Sequence, residues 1–271
     1  MSLVAATRSE TTKQFTTAMW WILAIILVVY VAFTASVLGG VFAASATGAL
    51  GGAETPQLPS DGLSAMLYST ATSVGYVFPL LIGTLIVTAE FRHKTLTPTF
   101  LATPQRGTVL TAKVGTGILL GVLYGVLGII ASVSPAAAFL AGFGLDTELT
   151  ASATWAVLGR MLLAYVLWVI IGIGVGALVR NQVGAIVGVL VFTQFLEPVA
   201  RTAASLVEGL SDLTQFLPGA ASDTLVGASI FSLGMPVGDG LQWWGGGLVL
   251  LGYAVVLLVL GYLVSWRRDV S

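Results

Sequence analysis

Glu90, Arg92, His93, Lys94 and Arg106 are the residues of this chain whose types and spacing invite chemistry. They fall in one segment, Glu90-Phe-Arg-His-Lys-Thr-Leu-Thr-Pro-Thr-Phe-Leu-Ala-Thr-Pro-Gln-Arg106, set between two long apolar runs. Only 8% of the chain is charged, yet four of its formal charges lie in these seventeen residues. Charge pairing and docking suit them better than catalysis. Glu90 and Lys94 stand at i,i+4, the spacing of a helical ion pair. Pro98 after Thr97 suits the first turn of a short helix, and Thr103-Pro104 ends it. Phe100 and Leu101 then present apolar side chains inside a charged loop, which predicts a docking element for a soluble partner. A bare orientation signal would need only Arg92, Lys94 and Arg106.

Other chemistry is poorly provided for. Cysteine is absent and His93 is the one histidine, so thiolate and His-rich metal sites are excluded and no metal is expected. His93 lies outside the apolar runs, which suits a loop contact better than a proton relay. Ser and Thr are frequent, but no base lies near enough in sequence to mark a nucleophile. A Gly-x-x-x-x-Gly-Lys-Ser/Thr phosphate loop is missing too, so the chain is not expected to hydrolyse ATP.

The elements that position this segment are membrane spans. The chain has 271 residues, 56% of them hydrophobic, with a mean hydropathy of +0.98. A soluble domain carries roughly 25% charged residues, so an integral, all-α polytopic membrane protein is predicted. The net charge of −1 gives no attraction to nucleic acid. A span needs about 20 apolar residues. Stretches that qualify are Trp20–Ala44, Leu67–Ala89, Val109–Val133, Trp155–Val179, Val183–Val199 and Gly245–Trp266. The apolar run of the third continues to Phe143, and Pro135 is expected to end or kink its helix. The first run is too long for a signal-peptide core and reads as a retained span. Residues 1–18 read as an interfacial helix, in which Glu10 and Lys13 sit at i,i+3. Residues 202–234 are apolar in pieces broken by Glu208, Asp212, Pro218 and Asp223, which predicts re-entrant or interfacial half-helices before the last span.

Basic residues set the orientation. With six spans, both termini share a side with Arg8, Lys13, Arg92, Lys94, Arg106, Lys113, Arg180, Arg267 and Arg268, most of the 11 Lys and Arg. Most of the 12 acids, namely Glu54, Asp61, Asp146, Glu148, Glu208, Asp212, Asp223 and Asp239, fall on the other side. Both termini are therefore expected in the cytoplasm. A seventh span through Leu213–Gly234 would place Arg267 and Arg268 outside, which argues against it.

Within the spans, Arg160, Glu197 and Arg201 are costly enough to pair. Glu197–Arg201 or Glu197–Arg160 is expected as a structural ion pair, with an outer gate as the functional alternative. Tyr76, Phe78, Phe192, Gln194 and Phe195 are candidates to line a cavity for a lipophilic cargo, against the plainer role of packing. Glycines repeat every four residues at Gly117, Gly121 and Gly125, at Gly172 and Gly176, and at Gly184 and Gly188, faces that let helices approach closely. Packing within one chain is the favoured reading over a dimer seam.

Three motifs carry a family resemblance. Glu90-Phe-Arg-His-Lys-Thr95, then Thr99-Phe-Leu-Ala-Thr-Pro104, followed by Arg106 and Lys113, resembles the cytoplasmic loop of type 2 ATP-binding-cassette (ABC) exporter permeases. Bacterial members often read Glu-Phe/Tyr-Arg-x-x-Thr, then Leu-x-Thr/Ser-Pro and a lysine opening the next span. Lys94 stands where many of them have Gly or a small polar residue. Arg8-Ser-Glu-Thr-Thr-Lys13 resembles the Ser-Glu-x-x-Lys of their N-terminal interfacial helix, and Phe216-Leu-Pro-Gly-Ala220 the Leu-Pro segment before their last span. The resemblance implies that residues 90–106 form a coupling helix seated in a groove of a separate cytoplasmic ATPase, which binds the ATP and Mg; this chain itself holds no cofactor. Glu90, Phe91, Arg92, His93, Lys94 and Thr95 would orient that helix. Thr99, Phe100, Leu101 and Ala102 would reach the ATPase, with Arg8, Glu10 and Lys13 on the supporting interfacial helix. It also implies a bacterial cytoplasmic membrane, a second permease subunit, identical or related, and efflux of a drug, antibiotic, peptide or lipid. An ion-coupled secondary transporter or a stand-alone membrane protein is the alternative. The first would need midplane ionisable groups and often shows inverted repeats, and neither is evident.

Overall fold

In the computed structural model the chain is helical throughout, with no strand among the described residues, which are 2–49, 62–205, 211–232 and 241–266. Helix α1 covers Leu3–Thr16, its first turn capped by the Ser2 hydroxyl accepting from the Ala5 N–H at 3.3 Å. Next come α2 (Met19–Ala46), the three consecutive pieces α3 (Leu63–Tyr68), α4 (Thr70–Gly75) and α5 (Val77–Arg92), the short α6 (Leu96–Ala102), α7 (Arg106–Gly142) and α8 (Ser152–Leu178). Helix α9 (Gln182–Val191) passes through a π turn at Phe192–Leu196 into α10 (Glu197–Ser205). Then follow α11 (Ser211–Thr214), α12 (Pro218–Val226) and α13 (Trp243–Gly261), the last continued by a π turn at Tyr262–Trp266.

Six helical stretches are long and apolar enough to cross a bilayer: Met19–Ala46, Leu63–Arg92, Arg106–Gly142, Ser152–Leu178, Gln182–Ala204 and Trp243–Val264. They make the chain a multi-pass membrane protein and fall on the expected runs. The arrangement is centred on α8, against which α5, α7 and α13 pack, while α2 packs on the far flank of α7. The second span is 83% buried over its most apolar window and the sixth only 17%. The second and fourth spans are thus the inside of the bundle, and the sixth is its lipid face.

Small residues set how closely the spans meet. A Cβ on Gly83 would collide with the Val169 carbonyl, and one on Gly172 with the Leu80 carbonyl. A Cβ on Gly176 would stand 2.5 Å from the Thr84 carbonyl oxygen. The second and fourth spans therefore touch backbone to backbone. Gly121 of α7 meets the Val166 backbone of α8 in the same way, whereas Gly117 and Gly125 make room for the Ile173 and Leu162 side chains. Gly184 and Gly188 differ. Gly188 meets nothing within 4 Å, and Gly184 only Asn181 of its own helix, so the glycine face of the fifth span is unpacked in this chain.

Pro135 does not end its helix, which runs seven residues further to Gly142. Proline is tolerated in membrane helices because neighbouring groups satisfy the freed backbone, and Ala136 beside it is wholly buried against α2. At 37 residues, α7 is about 55 Å long, well beyond the roughly 30 Å of a hydrocarbon core. The Tyr124 hydroxyl donates to the Trp20 carbonyl at 2.7 Å, so α2 begins well along α7 and the first turns of α7 project past it. Helix α1 lies along this projecting part.

Between the fifth and sixth spans, α10, α11 and α12 are short, as expected of half-helices. Helix α12 is buried between α8 and α13, with Ala221, Leu225 and Val226 wholly enclosed. Residues 206–210 and 233–240 of this segment lie outside the described residues, as do Glu54, Asp61, Glu208, Asp239, Arg267 and Arg268.

The backbone contact predicts an asymmetric response to methyl groups on one helix. Gly172→Ala is expected to lower stability by about 1–3 kcal/mol, the range for overpacking. Gly159→Ala, on the same helix with nothing within 4 Å, is expected to be neutral or slightly stabilising. Unfolding titrations in mixed micelles measure both.

Candidate functional site

At the projecting foot of α7, four charged side chains from three helices close into a ring. Glu10 and Lys13 lie one turn apart on α1, Glu90 ends α5, and Lys113 lies two turns into α7. Lys13 Nζ reaches Glu10 Oε1 at 2.7 Å and Glu90 Oε1 at 3.1 Å. Lys113 Nζ reaches Glu10 Oε2 at 2.6 Å and Glu90 Oε2 at 3.0 Å, the latter an ion pair off the hydrogen-bond axis. Charges alternate around the ring and sum to zero. The Lys113 side chain is 0% exposed, Glu10 4% and Glu90 8%, whereas Lys13 is 41% exposed. Water can therefore reach the ring only through Lys13.

The expected Glu10–Lys13 pair is present, but the expected Glu90–Lys94 pair is not. Helix α5 closes with the Thr95 N–H donating to the Glu90 carbonyl at 3.0 Å and the Lys94 N–H to the Phe91 carbonyl at 3.4 Å. That hydrogen-bond pattern puts its penultimate residue in the left-handed region, and Lys94 has φ 55°. Lys94 is thereby turned to solvent, and the Glu90 carboxylate turns inward to the lysines. A glycine would hold this φ without strain.

Lys13 also donates to the Thr99 hydroxyl at 3.3 Å, tying α6 to the ring. Helix α6 begins at Leu96, which is 2% exposed and anchors it to the core. Pro98 sits in its first turn and Thr103 caps its end. Thr95 holds the N-cap position without a side-chain capping bond. Arg92, His93, Lys94, Thr95 and Ala102 are exposed, and Phe91 is half-buried against the core.

Phe100 and Leu101 separate. Leu101 is 78% exposed. Phe100 is half-buried, its ring edge-on to Trp266 at 5.3 Å and under the Arg106 guanidinium at 5.1 Å. Phe100 therefore does not reach outward as expected; it is the seat of α6, and Leu101 is its outward apolar residue. Neighbours on a helix point about 100° apart, so the two cannot share one face.

Arg160, Glu197 and Arg201 occupy the opposite end of the bundle. Arg201 pairs with Glu197 Oε1 at 2.8 Å and with Asp223 Oδ2 at 2.7 Å. Glu197 Oε1 also accepts the backbone N–H of Gly219 at 2.6 Å and of Ala220 at 3.1 Å, in the first turn of α12. A carboxylate there satisfies orphan amides and matches the helix dipole. Arg160 does not meet Glu197. It lies over the Trp243 ring at 5.6 Å and beside Gly227, the cap at the other end of α12. Glu197 and Arg201 thus hold α12 at its first turn, and Arg160 lies beside its last.

The five candidate cavity residues divide between the interior and the surface of the chain. Tyr76 is buried, its hydroxyl donating to the Thr193 carbonyl at 3.0 Å and its ring 4.6 Å from Trp168. Phe78 is buried beside Tyr30. Phe192, Gln194 and Phe195 point away from the bundle, because burying Thr193 sends its neighbours outward. In the sequence Lys113 stands out as an orienting, span-opening cation and Asp223 as an acid that interrupts an apolar run, and neither shows its partner. The usable signal was an ionisable residue inside an apolar run, which needs a counter-charge.

Two outcomes follow from the ring. Removing one partner of a buried ion pair leaves a charge uncompensated, at a cost of about 3–5 kcal/mol. Lys113→Met is therefore expected to destabilise by that order, and adding Glu10→Gln to recover part of it, in detergent unfolding. The second outcome concerns pH. Burial alone would raise the Glu10 pKa, but Lys113 and Lys13 outweigh it and hold it below its ordinary 4.5. Burial alone would lower the Lys13 pKa, but Glu10 and Glu90 outweigh it and hold it above its ordinary 10.5. The Glu10 contribution is full above 4.5 and fades as pH falls through its depressed value; that of Lys13 is full below 10.5 and fades as pH rises through its elevated value. Spin labels on Thr12→Cys and Thr111→Cys, in a chain with no other cysteine, are expected to keep one distance inside that window and to separate beyond either limit. Comparison with protein-family models and with curated proteins gives no match for this chain.

Proposed function

We propose that this chain is the membrane-spanning permease subunit of a bacterial ABC exporter of type 2, with both termini in the cytoplasm. The observation that carries the reading is α6, a short helix at the foot of the bundle that seats Phe100 inward and offers Leu101 outward. Its link through Lys13 to a charge ring shared by α1, α5 and α7 supports a role in transmitting force. A push on α6 reaches three helices at once. A separate cytoplasmic ATPase binds ATP and Mg and closes on nucleotide. The exposed Arg92, His93, Lys94, Thr95, Leu101 and Ala102 are the surface it meets. The orientation is supported by the basic residues, which gather at the α6 end. A second permease subunit, a copy or a related chain, is supported by the unpacked Gly184 and Gly188 face with Phe192 and Phe195 beside it. Cargo of hydrophobic or amphipathic kind suits so apolar a surface.

The test is a mild-detergent pull-down of the tagged chain from its host, with bound proteins identified. A stoichiometric ATPase is expected with the unaltered chain. Leu101→Asp is expected to lose it by at least tenfold while inserting normally. Retention of the ATPase by that variant would overturn the assignment of α6. A chain that emerges alone with ATP present would overturn the exporter reading, in favour of an ion-coupled transporter or a stand-alone membrane protein.

A further inference from the structure

Helix α1 turns Glu10 and Lys13 inward but leaves Arg8 outward and exposed. Arg8 borders a shallow groove between α1 and α7, formed by Leu3, Val4, Thr7, Thr11, Thr12 and Leu119. The threonines present little polarity to it. Thr7 donates its hydroxyl to the Leu3 carbonyl at 3.0 Å, Thr11 to the Thr7 carbonyl at 2.9 Å and Thr12 to the Arg8 carbonyl at 2.9 Å. With these hydroxyls turned back onto the helix, the groove is walled by methyl groups and leucine, and Arg8 is its one cation among the described residues. Nearby carboxylates do not neutralise it, since Glu10 is held by Lys13 and Lys113.

The groove opens onto lipid. Leu119 is 53% exposed, and Val122 and Val126, on the same side of α7, are exposed above it. Phe15 and Trp20, whose rings meet at 4.9 Å, and the exposed Trp21 stand at the turn from α1 into α2, the aromatic signature of a membrane interface. Arg8 thus sits at headgroup depth, at the mouth of an apolar groove that leads along the third span.

We propose that this groove binds one anionic phospholipid of the leaflet on the N-terminal side, its phosphate on Arg8 and an acyl chain along Leu119. Guanidinium suits a phosphodiester through paired donors. An anionic headgroup neutralises Arg8, whereas a zwitterionic one brings its own ammonium. The apolar wall favours a lipid over free phosphate. The proposal stands independently of the exporter reading, because it needs only that α1 lie at the bilayer surface.

The test uses the full chain in nanodiscs containing a trace of photoactivatable phosphatidylglycerol or phosphatidylcholine, with cross-linked peptides read by mass spectrometry. Phosphatidylglycerol is expected to label the peptides holding Leu3–Thr12 and Leu119 about fivefold more than phosphatidylcholine, the worth of one basic residue at an anionic surface. Arg8→Gln is expected to remove that preference and Arg8→Lys to keep most of it. Equal labelling by the two lipids, or a preference that survives Arg8→Gln, would overturn the site as ordinary annular lipid. Displacement of the label by inorganic phosphate would overturn the lipid assignment in favour of a simple anion site.

Discussion

The need to neutralise buried charge at the membrane face organises the lower half of this protein. Lys113 is fully enclosed two turns into a long and largely apolar helix, where an unpaired ammonium would be untenable. It requires carboxylates, and the chain supplies one from α1 and one from α5. Two carboxylates around one lysine would leave a net negative charge, which Lys13 cancels. The docking of α1, the inward turn of Glu90 and the attachment of α6 through Thr99 all follow from this closure. Buried ion pairs are weak contributors to net stability when compared with apolar packing. Their value here is positional: four groups that must meet fix three helices and a loop in one register.

Above the ring the bundle uses the opposite device. Gly83, Gly172 and Gly176 remove side chains altogether, so that the second and fourth spans meet along their backbones. Dispersion and weak backbone contacts replace the hydrophobic effect, which offers little between helices already in lipid. The seam is rigid because it is close-packed, and the ring is rigid because it is charge-balanced. Between them the seam and the ring join the second, third and fourth spans, with the thinly enclosed fifth and sixth on the margin.

Hydropathy made most of the spans legible to within a few residues, as with Trp155–Val179 against the observed Ser152–Leu178, while the third runs on from the expected Val133 to Gly142. The requirement for unbroken apolar length is local, and local composition records it. Helix α6 was legible for the same reason, through Pro98 and Pro104. The ring was only half legible. Glu10 and Lys13 are neighbours on one helix, but Lys113 lies 103 residues from Glu10 and no periodicity links them. The i,i+4 spacing of Glu90 and Lys94 does not become a pair because that spacing ignores how a helix ends, and the left-handed turn at Lys94 breaks the geometry. Pro135 does not end α7, because neighbouring groups among packed helices satisfy the backbone that a proline frees. The separation of Phe100 from Leu101 depends on Trp266, far away in the chain.

The grip of Glu197 on α12 has a mechanical consequence. Its carboxylate belongs to the fifth span, yet it accepts the Gly219 and Ala220 amides of the re-entrant helix. The fifth span is among the least enclosed, 22% buried over its apolar window, whereas α12 is wedged against α8 and α13. Sliding the fifth span sideways must therefore drag the first turn of α12 along, or strand two amides in an apolar setting without acceptors. A thinly enclosed span and a well enclosed helix are in this way joined through one carboxylate.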